Sequence, residues 1–122
     1  METTAQYQEQ LQYAEVYISD MLTLKQIFLQ SQNIKTLTRN FGVPFLLVKK
    51  KNEIAAFSSL IINEKGEITF KIFHNNQFSE SEKKDFVIRA ENYFKKNNTA
   101  NFKNPEQLKS SISRMVSWLN IG

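Results

Sequence analysis

The apolar residues change period at Pro44. Before it they recur at helical spacing: Leu24, Ile27 and Phe28 form one stripe, and Ile34, Leu37 and Phe41 form another. Between residues 45 and 73 the spacing of three apolar runs becomes that of β-strands. Residues 45–49 (FLLVK) are one run. In residues 53–62 (EIAAFSSLII), Ile54, Ala56, Ser58, Leu60 and Ile62 face one way. In residues 67–73 (EITFKIF), Ile68, Phe70 and Ile72 share a side. The polar stretch "KKNE" and the Gly-containing "NEKG" separate them as hairpin loops. This predicts a central antiparallel three-strand meander over about residues 45–73.

Helical signals return after the meander. Ser79 and Glu82 have capping-box spacing ahead of an apolar face of Phe86, Ala90, Tyr93 and Phe94. Asn104-Pro105-Glu106 reads as a cap, a proline at the first helical position and an acid in the first turn. Leu108, Ile112, Met115, Val116 and Leu119 line the helix that follows. Earlier in the chain, Asp20 can cap a helix to about Gln30, and a short helix follows over Ile34–Phe41, closed by Gly42 and Pro44. Residues 99–103 (TANFK) are expected as a short strand, and residues 13–18 fit either a strand or a continuing helix. The order (β)ααβββα(β)α defines an α+β domain with helices on an antiparallel sheet. The 122 residues suit a single domain, 1–122, with a polar segment over 1–12.

Composition excludes several chemistries. The absence of Cys removes disulfides, thiolate zinc sites and a Cys nucleophile. His74 is the sole histidine and has no partner at metal-ligand spacing, so no metal site is expected. No Ser lies in a G-x-S-x-G elbow. The N-terminus has neither the basic nor the apolar region of a signal peptide, and no apolar run approaches the roughly 20 residues of a membrane span. A cytoplasmic location and no membrane partner are therefore expected. The net charge of +4 is spread along the chain, so nucleic acid is not the expected partner.

The element order resembles the GNAT acyltransferase superfamily over about residues 13–122. "YAEVYISDMLTLKQIFLQS" is similar to that family's first strand and first helix, and "PFLLVKKKNEIAAFSSLIINEKGEITFKIF" to its central meander. "SSISRMVSWLNIG" is similar to its last helix, with an aromatic four residues before a glycine. The resemblance implies a pyrophosphate-binding loop between the fourth strand and the third helix. That loop would read Gln or Arg, two residues, Gly, any residue, then Gly or Ala. The matching stretch, "HNNQFSESEKKDF", has no glycine, and Glu80 and Glu82 occupy its first helical turn. The resemblance also implies a Tyr general acid in the last helix, where Trp118 stands. An indole donates a hydrogen bond but does not titrate usefully. The family continues into one or two further strands, which a neighbouring chain would supply if the edge does not stay open.

Three functions follow. The first is a GNAT-like domain that acts through protein contacts and has no cofactor. The second is a divergent N-acyltransferase that uses acetyl-CoA. It would need a V-shaped gap between strands beginning near Phe45 and Thr99, and an anion near residues 77–82. The third is an unrelated small binding, immunity or adaptor protein. A protein partner or self-association is expected for the first and third. No catalytic residue is assigned. Phe73, His74, Gln77, Phe78, Ser79 and Trp118 form the candidate ligand or partner cleft.

Overall fold

The computed structural model describes residues 11–121. Among these, the sheet has four strands, not three: β1 (Leu11–Glu15), β2 (Val43–Lys50), β3 (Glu53–Ile62) and β4 (Ile68–His74). They lie in the order β1-β2-β3-β4, every neighbour antiparallel. The helices are α1 (Met21–Gln32), α2 (Glu80–Lys96), α3 (Ala100–Lys103) and α4 (Pro105–Ile121).

The added strand settles the ambiguity of residues 13–18 in favour of a strand over 13–15 only, which also takes in Leu11 and Gln12, while Ile18 opens a 3-10 turn. Leu11 and Tyr13 point into one core, whereas Val16 packs against the other and Ile18 is 76% exposed. Residues 11 and 12 therefore leave the polar N-terminal segment, and residues 1–10 lie outside the described residues. Pairing with β2 (Tyr13 opposite Val48) defines this strand, and such a long-range contact has no local signal.

Two further expectations are corrected. Residues 34–41 do not form a helix: only a 3-10 turn, Arg39–Phe41, is present. Leu37 and Phe41 are buried but Ile34 lies at the surface, so the segment has no continuous stripe to bury. Residues 99–103 are not a strand: Ala100–Lys103 is the one-turn helix α3. It places Phe102 against Phe45, 5.3 Å between ring centroids, and against Tyr93 and Phe94.

The sheet lies between two apolar layers. On one face Phe45, Leu46, Val48, Ala56 and Leu60 pack against Phe86 and Ala90 of α2 and Leu108 and Ile112 of α4. On the other, Leu47, Phe57 and Phe73 pack against Leu24, Ile27 and Phe28 of α1, with Phe41 and Leu119. Each fully buried Leu or Phe contributes roughly 1.5–3 kcal/mol relative to exposure. Helix α4 joins the layers, since its first half belongs to one and its end to the other. Asn120 fixes that end: its Oδ1 accepts from the Leu37 amide at 3.0 Å and its Nδ2 donates to the Leu37 carbonyl at 3.2 Å.

Two register shifts explain where strict alternation fails. They leave Phe45 in β2 and Ala55 in β3 as extra residues. At such a bulge two successive side chains share a side. Phe45 and Leu46 therefore enter the same core, as do Ala55 and Ala56, and Ile54 turns to the opposite layer. The expected grouping of Ile54 with Ala56, Ser58, Leu60 and Ile62 is corrected on this ground. The hairpin between β2 and β3 has positive φ at both Lys51 and Asn52, the geometry of a type I′ turn.

Candidate functional site

The junction of β4 and α2 is the stretch where the resemblance implies a phosphate-binding loop. Six of its backbone amides are engaged from within. The Asn75 amide donates to the Ala55 carbonyl at 2.9 Å, so the chain leaves the sheet only after one more rung. Asn75 then makes a short turn, in which its Oδ1 accepts from the Gln77 amide at 3.0 Å and its carbonyl accepts from the Phe78 amide. The capping box follows: Ser79 Oγ accepts from the Glu82 amide at 3.1 Å, and Glu82 Oε1 accepts from the Ser79 amide at 2.9 Å. The Lys83 amide donates to the Ser79 carbonyl. Amides at 75, 77, 78, 79, 82 and 83 are thus all satisfied by the chain itself.

Lys50 locks this arrangement from the end of β2. Its Nζ donates to the Gln77 carbonyl at 2.7 Å and forms an ion pair with Glu82 Oε1 at 3.1 Å. Burial would raise the Glu82 pKa. The Ser79 amide and the Lys50 ammonium outweigh it and hold the carboxyl below its ordinary value of 4.5. The helix N-terminus, which favours negative charge, already has the Glu82 carboxylate beside it.

The candidate cleft residues do not come together as one surface. Phe73 and Phe78 are buried, in opposite layers. Ser79 serves as the helix cap. Trp118 is half-exposed on α4 beside Leu119, whose carbonyl accepts from Lys25 Nζ. Only His74 and Gln77 share a groove, of about 420 Å³, with Asn75, Asn76, Gln30, Ser31 and Ile27. His74 Nδ1 stands 2.9 Å from the Asn75 carbonyl. Gln30 and Ser31 of α1 had no sequence signal for this groove, because α1 meets β4 only through the packed second layer.

The space beside Phe45 is filled by side chains. Its ring lies 5.6 Å from Tyr93, 6.0 Å from Phe70 and 5.3 Å from Phe102. The Tyr93 hydroxyl donates to Glu15 Oε2 at 2.7 Å, and this bond, with burial, raises the Tyr93 pKa. Arg89 lies over the Tyr13 ring at 4.0 Å. Among the described residues no group of three His, Asp or Glu side chains is placed to hold a metal ion, and no helix is long and apolar enough to cross a membrane.

Compared with protein-family models, with curated proteins and with solved structures, the chain matches none.

Proposed function

We propose that this chain is a GNAT-like domain that does not hold acetyl-CoA and acts through protein contacts. The observation that carries the reading is the internal use of the loop amides at 77, 78, 79, 82 and 83. A pyrophosphate needs several such donors aimed at it from a loop and a helix N-terminus. To use the Ser79 and Glu82 amides it would have to break the capping box and displace the Glu82 carboxylate.

Three other features support the reading. The order of strand, helix, three-strand meander and helix agrees with part of the resemblance, without its second helix and its strand over residues 99–103. The rings of Phe45, Tyr93 and Phe102 occupy the region where a cofactor gap would open. Large apolar side chains are exposed at Ile18, Leu22, Trp118 and Ile121, surface that a protein partner could cover.

Calorimetric titration with acetyl-CoA tests this. The expected result is no saturable heat up to about millimolar ligand, which corresponds to a binding free energy weaker than roughly −4 kcal/mol. Saturable binding at micromolar ligand would restore the divergent acyltransferase.

A further inference from the structure

Strand β4 is one edge of the sheet, and its outer side can be assigned residue by residue. The Asn75 amide donates inward to the Ala55 carbonyl, and the Glu67 carbonyl accepts inward from the Asn63 amide, each at 2.9 Å. The β3–β4 ladder runs from Ile62↔Ile68 to Ala56↔His74 without a register shift. Backbone groups of an antiparallel strand alternate in direction. Odd-numbered residues therefore bond to β3, and Ile68, Phe70, Ile72 and His74 turn their N–H and C=O groups outward.

This edge carries few of the features that keep sheet edges apart. It spans seven residues, has no proline and no bulge, and bears a single charge, Lys71. Strand β1 at the other edge spans five residues. From this we infer that β4 pairs with β4 of a second copy about a two-fold axis perpendicular to the sheet, forming one continuous eight-stranded sheet. The inference rests on the protein-contact reading above and names the partner as the chain itself.

Self-complementarity selects the register. A two-fold axis preserves faces, so paired residues share parity. Centring on Lys71 would set two ammonium groups opposite each other. Centring on Phe70 avoids this. Phe70 then pairs with its own counterpart and Ile68 with the partner's Ile72, all through outward-facing backbone groups. Thr69 faces the partner's Lys71, and Glu67 lies diagonally across from that lysine, within reach of attraction. The apolar residues Ile68, Phe70 and Ile72, half-buried in the monomer, gain cover on their outer side.

Sedimentation equilibrium on the full chain tests the contact, with two variants of opposite sign. Thr69→Lys opposes two lysines at each of two symmetric positions and is expected to weaken the dimer by roughly two- to thirtyfold. Thr69→Glu provides each lysine with a carboxylate and is expected to tighten it. Lys71→Glu, on an exposed residue, sets a carboxylate diagonal to the partner's Glu67 and weakens the dimer should Thr69→Lys not fold. A wild-type chain that remains monomeric to about 0.5 mM overturns the inference, as does a dimer indifferent to all three changes. Acetyl-CoA is absent from this measurement, so a failure here leaves the calorimetric test of the proposed function untouched.

Discussion

Ser58 and Ser59 are adjacent, fully buried and turned to opposite layers, so they separate two effects that are often confused. Ser59 Oγ donates to the Phe41 carbonyl, while Ser58 Oγ has no protein partner. Ser59→Ala leaves a buried carbonyl unpaired and is expected to lower stability by about 1–3 kcal/mol. Ser58→Ala removes an unpaired hydroxyl and is expected to leave stability unchanged or raise it by up to about 1 kcal/mol. Urea denaturation of both variants measures the contrast, and equal losses would contradict the assignment. Glu82 supplies a pH-dependent counterpart. Its folded pKa lies below its ordinary value, so its contribution is complete above about pH 4.5 and is lost as the pH falls through the folded value. Glu82→Gln keeps an acceptor for the Ser79 amide but loses the attraction to Lys50. The variant should be less stable than wild type at neutral pH, and the difference should shrink as the pH falls below about 4.5. A constant difference in urea midpoint across that range would remove Glu82 from the account. At this scale the capping box was legible, because Ser79 and Glu82 are three residues apart and act locally. The role of Lys50 was not, because its partners at residues 77 and 82 lie in another element and only the fold brings them together.

At the scale of elements, Gly42 sets the entry into the sheet. Its φ of 68° and ψ of −152° lie in a region open essentially to glycine alone. A Cβ built there would stand 2.0 Å from the Leu60 carbonyl oxygen. Gly42→Ala is therefore expected to cost at least about 3 kcal/mol or to prevent folding. Gly66→Ala, with φ of 80° and no heavy atom within 4 Å of the added carbon, should lose only about 1–2 kcal/mol. Thermal unfolding followed by circular dichroism ranks the two, and a reversed order would contradict the geometry. The elements legible in the sequence are those with their own punctuation. β3, α2 and α4 lie where alternation, the Ser79 cap and the Asn104–Pro105 start place them. Asn104 Oδ1 accepts from the Glu106 and Gln107 amides, as that start requires. The elements misread or left open are short and held by distant partners. α3 exists because Phe102 is held by Phe45, Tyr93 and Phe94, and β1 because it pairs with β2. Alternation could not foresee that bulges at Phe45 and Ala55 would break parity, since a bulge is set by the facing strand.

Over the whole molecule, a four-stranded sheet separates two aromatic-rich layers, and α4 closes both of them. The junction of β4 and α2 sits where the two cores meet the sheet end: Phe73 anchors one side and Phe78 the other. The candidate cleft dissolved for that reason. Aromatic residues that looked available in the sequence are the anchors that hold the loop, and the groove that remains is lined mainly by carboxamides and His74. The proposed reading turns on six amides of this loop that bond within the chain instead of to a phosphate. Residue-resolved amide NMR during a titration with acetyl-CoA tests it most directly. The Gln77, Phe78, Ser79, Glu82 and Lys83 amide signals are expected to stay in place up to about millimolar ligand. Saturable shifts confined to those amides at micromolar acetyl-CoA would contradict it.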